Sequence, residues 1–190
     1  MSRPVPLLNT ANVLTTLRIV MVPFFIWFMV ADAGTHGLFR WLAVAVFAAA
    51  IYTDKLDGDI ARSRGLVTNF GKIADPIADK LLIGSALILL SALGELPWWV
   101  TILILARELG ITLLRFVVIR YGVMPASRGG KLKTVLQTLA IFLYLMPLGS
   151  LLGGGYAAAA FAVMMLAVLV TVVTGVDYVA KAWRLRTAGR

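Results

Sequence analysis

The sequence predicts an all-α integral membrane protein with six transmembrane helices and both termini in the cytoplasm. Composition is the first reason: 61% of the 190 residues are hydrophobic, 14% are charged, and the mean hydropathy is +0.92. Soluble domains average roughly 45–50% apolar and about 25% charged residues, so a soluble globular protein, a disordered chain and a coiled coil are excluded. Six long apolar runs and an uneven distribution of basic residues are the other two reasons.

The six apolar runs approach the roughly 20 residues that a membrane helix needs. They are predicted at 13–30, 39–52 with a polar extension, 73–93, 98–118, 135–152 and 156–179. Turn-forming sequences at 32–34, 94–97 and 153–155 separate the odd-numbered runs from their successors. No long linker interrupts the chain, so we expect a single membrane domain over residues 1–190.

The basic residues predict the orientation of these helices. Of the 18 Lys and Arg residues, only Arg40 lies in or beside the three turns. The others lie at the two termini, or in the second-to-third and fourth-to-fifth connections with the adjoining helix ends. Cytoplasmic loops of membrane proteins carry the excess of Lys and Arg, which predicts a multi-pass protein of the cell membrane with both termini inside.

The residue counts exclude several kinds of catalytic and metal site, and the net charge indicates the kind of partner. The chain has no cysteine and one histidine, His36, which excludes disulfides, thiolate metal sites, cysteine nucleophiles and catalysis that needs two histidines. The formal net charge is +9 and the pI is about 10.4. In so hydrophobic a chain, this charge favours anionic lipids and phosphates as partners over nucleic acid.

Five of the nine acidic residues cluster at the end of the second run and the start of the third. Asp54 and Asp57 are three residues apart, and Asp75 and Asp79 are four apart, so each pair lies on one face of a helix. A helical hairpin would bring the four carboxylates together. Carboxylates in or beside a membrane are costly and usually functional, so this cluster is the candidate site.

Four carboxylates without a neighbouring His or Cys are typical ligands of hard cations such as Mg²⁺, Mn²⁺ or Ca²⁺. Two divalent ions would neutralise the cluster and leave positions for phosphate oxygens. The small residues Gly58 and Ala61 would let a substrate approach the helix backbone, and Arg62 would suit a diphosphate. For any one acid, the simpler alternative is an ion pair with a nearby cation: Lys55, Arg62, Lys72 or Lys80.

The spacing of these residues resembles the signature of a known enzyme family. Asp54-x2-Asp57-Gly58-x2-Ala61-Arg62-x8-Gly71-x3-Asp75-x3-Asp79 matches all eight fixed positions of the CDP-alcohol phosphatidyltransferase pattern. Segments at 12–18, 69–72, 75–80, 106–108 and 130–134 are similar to the subgroup of that family that makes phosphatidylglycerophosphate. The resemblance therefore covers most of the chain from Asn12 to Thr134.

The resemblance implies an activity, a cofactor and residue roles. It implies transfer of the phosphatidyl group of CDP-diacylglycerol to glycerol 3-phosphate, with release of CMP. Because the lipid tails stay in the membrane while the nucleotide and the acceptor are water-soluble, we expect the site at the cytoplasmic membrane interface. The resemblance also implies that the four aspartates bind two Mg²⁺ or Mn²⁺ ions and that Asp79 is also the general base. Contacts to the CDP group are implied for Gly58, Ala61, Arg62 and Thr68. A homodimer is implied as well.

A second basic cluster is expected to bind the acceptor phosphate, because cations suit a phosphorylated acceptor. Its members are Arg107, Arg115, Lys131 and Lys133. Arg107 lies inside the fourth run beside Glu108, and two interpretations stay open: an intramembrane ion pair or a phosphate pocket. Asp177 is expected to pair with Lys181 at the next helical turn.

Other functions stay open at this stage. Within the enzyme class, the acceptor could instead be an inositol phosphate, serine or phosphatidylglycerol. A cation transporter would predict acids on several helices, whereas the fourth and fifth runs contribute only Glu108. A non-catalytic lipid-binding scaffold has no need of the carboxylate spacing.

Overall fold

The computed structural model describes residues 9–64, 68–118 and 128–188, and all regular structure in these ranges is helical. The helices are α1 (Thr10–Asp32), α2 (Leu38–Arg64), α3 (Asn69–Ala92), α4 (Trp98–Val118), α5 (Arg128–Leu145), the four-residue α6 (Gly149–Leu152) and α7 (Gly154–Ala188). The all-α prediction is therefore confirmed for the described part of the chain.

The fifth predicted run has the wrong bounds. Helix α5 begins at Arg128, inside the basic segment, and ends at Leu145, whereas the apolar run was expected to continue to residue 152. Pro147 has no N–H to donate to the carbonyl of Leu143, and so it stops the helix. That carbonyl instead accepts a hydrogen bond of 2.6 Å from the hydroxyl of Tyr156. Hydropathy does not reveal the end of α5 at Leu145, because the residues on both sides of it are apolar.

Two helical segments among the described residues have the length and composition to cross a membrane, Thr10–Asp32 and Gly154–Arg184. Large apolar side chains are exposed on several helices, among them Trp27, Leu113 and Trp183. An apolar surface of this kind needs an apolar environment, as the outer surface of a membrane protein does. The six-span topology and its orientation stay predictions.

The chain forms two compact units, and the prediction of one domain over residues 1–190 stays a prediction. The first unit extends to Leu93 and includes Leu145–Pro147, and the second comprises Gly94–Tyr144 and Leu148–Arg190. In the first unit, α1 packs against both α2 and α3. In the second unit, α7 packs against α4 and α6.

The predicted turn at 32–34 is present, and the buried carboxylate of Asp32 organises it. This carboxylate accepts hydrogen bonds from the hydroxyl of Thr35 and the backbone N–H groups of His36 and Gly37 at 3.0–3.3 Å. The fully buried guanidinium of Arg40 lies 3.9 Å away. These contacts fix α1 beside α2, so residues farther along the two helices meet in a defined register.

Candidate functional site

The predicted acids of α2 and α3 meet around two side chains of α1, Thr15 and Arg18. The hydroxyl of Thr15 donates to Asp75 Oδ1 over 2.6 Å, and Asp57 Oδ2 lies 3.3 Å from the same hydroxyl. Arg18 forms ion pairs with Asp57 and with Asp54, and its Nη1 lies 2.5 Å from Asp54 Oδ1. Three of the four predicted carboxylates are thus connected through α1.

Matching helical spacings produce this convergence. Thr15 and Arg18 are three residues apart on α1, as Asp54 and Asp57 are on α2, so each pair occupies one helix face. Arg18 is 1% exposed and lies in an apolar stretch of α1, where an unpaired charge would be very costly. The two carboxylates of α2 supply its compensating charge.

The environment of Asp57 perturbs its carboxyl group. It lies in the polar extension of α2, beyond the apolar run, and is itself buried. Burial is the main cause that raises the pKa of Asp57 to about 6; the carboxylates of Asp75 and Asp54 act in the same direction, and Arg18 opposes them. The negative charge gathered here therefore exceeds what one guanidinium compensates, which favours a further cation.

A second set of contacts joins α1 to the start of α3. Thr68 caps α3: its hydroxyl accepts from the N–H of Gly71 over 3.0 Å and donates to Asn12 Oδ1 over 2.8 Å. A Cβ at Gly71 would lie 3.2 Å from that Asn12 oxygen and 3.8 Å from Asp75 Oδ2. Gly71 thus permits a close approach of the two helices beside the acids. The proposed contact of Thr68 with the CDP group stays a prediction.

The other signature positions lie on the same two helices. Asp79 is half-buried and lies one turn beyond Asp75 on α3, while Gly58 and Ala61 are half-buried on α2 just after Asp57. The side chain of Arg62 lies outside the described part of the chain.

An all-oxygen set of donors fits a hard divalent cation. Nevertheless, within the described ranges, no three acidic or histidine side chains are placed so that they could hold one metal ion together. Asp54 and Asp57 form ion pairs with the Arg18 guanidinium. The sequence predicts divalent metal ions as the partners of these two carboxylates. Ligation of Mg²⁺ or Mn²⁺ by the four aspartates stays a prediction.

A separate polar cluster lies in the second unit. Glu108 Oε1 accepts from Arg107 Nη1 over 3.1 Å and also forms an ion pair with the buried Lys133. Arg107 Nη2 donates to Thr174 Oγ1 over 2.9 Å, and its guanidinium lies 5.8 Å from the ring centroid of Tyr178. Helices α4, α5 and α7 are therefore connected through Arg107 and Glu108.

This cluster includes two of the four cations predicted for the acceptor phosphate, Arg107 and Lys133. Of the two interpretations of Arg107, the ion pair with Glu108 is present, and the phosphate pocket stays a prediction. Lys131 is exposed on α5, and the side chain of Arg115 lies outside the described part of the chain. The expected pair of Asp177 and Lys181 is confirmed at 2.6 Å.

Sequence reasoning assigned no site role to Asn12, Thr15 or Arg18, which contact the signature residues. A signal was available for Arg18, since a lone arginine within an apolar run needs a buried partner. The spacing of three residues between Asn12, Thr15 and Arg18 also places them on one face of α1.

The signature acids and the helices that carry them define the class of protein. The model of the CDP-alcohol phosphatidyltransferase family matches residues 8–173, and the chain belongs to that family of transferases. The chain is 57% identical over 176 residues to a Mycobacterium tuberculosis H37Rv protein named "Probable phosphatidylglycerophosphate synthase", with 93% of this chain and 82% of that protein covered.

Two further relatives carry the name "CDP-diacylglycerol--glycerol-3-phosphate 3-phosphatidyltransferase". The Bacillus subtilis strain 168 protein is 38% identical over 188 residues, covering 92% of this chain and 95% of its own. The Rickettsia felis protein is 38% identical over 174 residues, covering 90% and 93%. The similarity thus extends over nearly the whole chain in each case.

Proposed function

We propose that this protein transfers the phosphatidyl group of CDP-diacylglycerol to glycerol 3-phosphate, giving phosphatidylglycerophosphate and CMP in phospholipid biosynthesis. The observation that carries the proposal is 57% identity over 93% of the chain to a relative named for this product. The convergence of Asp54, Asp57 and Asp75 around α1 supports it, because a diphosphate substrate needs a site for cations.

In the proposed reaction, the acceptor hydroxyl attacks the phosphorus that carries diacylglycerol, and the bond to CMP breaks. An alcohol is a weak nucleophile at neutral pH, so a carboxylate must accept its proton, and we assign that role to Asp79. Gly58, Ala61, Arg62 and Thr68 contact the CDP group in this proposal. Two bound Mg²⁺ or Mn²⁺ ions would neutralise the diphosphate charge and the charge on departing CMP.

The acceptor phosphate is assigned to the cluster of the second unit. Arg107 and Lys133 share one carboxylate, that of Glu108, so the group keeps a net positive charge in a half-buried setting. Such a group favours an anion that can accept charge-assisted hydrogen bonds. Lys131 and Arg115 are assigned to the same phosphate on the basis of the sequence.

Lys133→Ala should raise the KM for glycerol 3-phosphate by about 10- to 150-fold, the effect of losing one hydrogen bond to a charged group. The KM for CDP-diacylglycerol should change little, because the lost cation serves the acceptor. Initial rates measured with each substrate varied in turn would test this. The matched control is Lys181→Ala, which removes an exposed cation that pairs with Asp177. Equal changes in both KM values would assign Lys133 to folding or lipid anchoring.

Gly71→Ala should lower phosphatidyl transfer by about tenfold or more while the protein remains folded. The new Cβ would lie 3.2 Å from Asn12 Oδ1 and push this amide by a few tenths of an ångström beside Asp75; since a positional error of about 1 Å can cost about 100-fold in rate, a smaller shift can still cost about tenfold. Gly110→Ala is the control, because its Cβ would meet nothing within 4 Å. Both variants replace a helical glycine by alanine, so both raise helix propensity to a similar degree. Measuring the Tm and the turnover of each variant therefore separates an effect on stability from an effect on the site. Equal turnover in the two variants would contradict the assignment of Gly71.

The cell membrane is the proposed location, with six spans and a site that faces the cytoplasm. The distribution of basic residues and the exposed apolar side chains support this topology. A homodimer is proposed from the family resemblance. Reaction of engineered cysteines with an impermeant reagent in oriented membranes would test the topology, and the chain offers a background without native cysteines.

The function is tested by assaying CMP release from CDP-diacylglycerol with purified protein and a panel of acceptors. We expect release with glycerol 3-phosphate and Mg²⁺ or Mn²⁺, and no release in excess chelator. If the protein prefers an inositol phosphate, serine or phosphatidylglycerol, the proposed acceptor is wrong but the proposed transfer reaction stands. Ion flux through reconstituted vesicles without CMP release would favour the transporter alternative.

A further inference from the structure

Two residues of α7, Thr174 and Tyr178, contact the guanidinium of Arg107 on α4. The hydroxyl of Thr174 accepts a hydrogen bond of 2.9 Å from Arg107 Nη2, and the ring centroid of Tyr178 lies 5.8 Å from the guanidinium carbon. A Cβ at Gly175 would lie 3.3 Å from Arg107 Cγ, so the glycine lets the arginine lie directly against α7. Helix α7 thus has a surface that fits this arginine.

The hydroxyl of Thr174 has a defined orientation, because its own helix uses its single hydrogen. Thr174 is buried, and its hydroxyl donates to the carbonyl of Val170 over 2.7 Å, with the carbonyl of Thr171 3.2 Å away. A hydroxyl has one donor and two acceptor positions, so its oxygen lone pairs remain for Arg107. The hydroxyl therefore offers Nη2 an acceptor that is fixed by the backbone of α7.

Thr174 holds Arg107 without neutralising its charge. Nη1 of Arg107 donates to Glu108 Oε1 over 3.1 Å, and Lys133 pairs with the same oxygen, so one carboxylate serves two cations. Thr174 is uncharged, so the positive charge that remains is available to an anion. Nε of Arg107 has no hydrogen-bond acceptor among the described residues, so the guanidinium also has unused donor capacity. Arg107 is thus fixed at both Nη atoms and keeps its charge for a ligand.

We propose that Thr174 is a positioning residue, which orients the guanidinium of Arg107 for the phosphate of the acceptor. This inference rests on the proposed function, in which Arg107 binds that phosphate. A free arginine side chain populates many rotamers, and ordering it during binding would weaken the affinity for the phosphate. Thr174 and Glu108 order the guanidinium before the acceptor binds.

The first test is Thr174→Val, which keeps nearly the shape of the side chain and removes the hydroxyl. In initial-rate measurements on purified protein, the KM for glycerol 3-phosphate should rise by about three- to tenfold, the effect of about one hydrogen bond. The KM for CDP-diacylglycerol should stay at the wild-type value, because Arg107 serves the acceptor. Thr174→Ser keeps the hydroxyl, and so it should restore the KM for glycerol 3-phosphate.

Thr171→Val is the matched control. Thr171 is fully buried on α7, one turn before Thr174, but its hydroxyl has no hydrogen-bond partner within the described ranges. The same substitution at this position removes no contact to Arg107, so both KM values should stay unchanged. The Tm of each variant is measured as well, so that a loss of stability is distinguished from a selective loss of acceptor affinity.

A double-mutant cycle tests whether Thr174 acts through Arg107. Arg107→Ala alone should raise the KM for glycerol 3-phosphate by about tenfold or more, since it removes a charged donor. Adding Thr174→Val to Arg107→Ala should then have no further effect on this KM, because the side chain that Thr174 orients is gone.

Gly175→Ala replaces Thr174→Val if the valine variant does not fold. The new Cβ would push against Arg107 Cγ, while alanine raises the helix propensity of α7. The KM for glycerol 3-phosphate should again rise selectively, because the same guanidinium is displaced. Gly155→Ala, also on α7, is the control for this variant, since its Cβ would meet nothing within 4 Å.

The outcomes separate this inference from the proposed function. If the wild type releases no CMP with glycerol 3-phosphate, the proposed function is wrong and the inference fails with it. If the wild type is active but Arg107→Ala leaves the KM unchanged, the reaction stands and the inference is wrong. It is also wrong if Thr174→Val leaves the KM unchanged, or if Thr174→Ser raises the KM as much as Thr174→Val does. A selective rise that serine reverses, and that disappears in the absence of Arg107, supports the inference.

Discussion

Asp57→Asn and Asp75→Asn should each reduce phosphatidyl transfer to the background of the assay. Each change replaces a proposed metal-binding carboxylate by a neutral amide of nearly the same shape. Asn at position 75 keeps an oxygen that can accept the hydrogen bond from Thr15, so the contact between α1 and α3 can persist while the charge is lost. Turnover with CDP-diacylglycerol and glycerol 3-phosphate tests whether the charge is needed. The Tm of each variant tests whether the fold is preserved.

The same experiment includes removal of the metal. Excess chelator should abolish turnover of the wild type, and Mg²⁺ or Mn²⁺ should restore it, because the proposed ligands are oxygen donors only. Asp177→Asn is the control acid: its carboxylate pairs with Lys181 at 2.6 Å, and both side chains are about half exposed. Near-normal turnover in Asp57→Asn or Asp75→Asn, or full activity in chelator, would refute the two-metal assignment.

The acids of this site were predictable because their spacing is local. Positions three or four residues apart share a helix face whatever the tertiary structure, and a hairpin of two helices brings such faces together. Arg18 and Thr15 were not predictable as site residues in the same way. Their partners are 39 and 60 residues away, and no local rule determines which face of α1 meets α2 and α3.

Helix type was predictable from hydropathy, but some helix ends and partners were not. The apolar run that continues past Leu145 conceals the break at Pro147, because hydropathy averages over a window while proline removes one specific hydrogen bond. The role of Glu108 likewise depends on a contact distant in sequence, in which Lys133 of α5 reaches the same carboxylate oxygen as Arg107. Sequence neighbours predicted the pair with Arg107 but not the second partner.

Asp79→Asn should bind CDP-diacylglycerol in the presence of Mg²⁺ but transfer its phosphatidyl group about 10²- to 10⁴-fold more slowly, the usual effect of losing a general base. Asp79 lies one turn beyond Asp75 on α3 and is half-buried, and its role as the base that accepts the proton of the acceptor hydroxyl stays a prediction. The three carboxylates that meet around Thr15 and Arg18 remain in this variant and should still support nucleotide binding.

Two measurements on the same purified Asp79→Asn protein decide its role. Equilibrium binding of a labelled CDP-lipid reports on the intact part of the site, and single-turnover transfer reports on the chemical step. Binding near the wild-type level with a large loss of rate assigns proton transfer to Asp79, because an asparagine amide cannot accept the proton of the acceptor hydroxyl. If binding and transfer fall together, Asp79 serves chiefly as a metal ligand. The base must then be another group that can reach the acceptor hydroxyl.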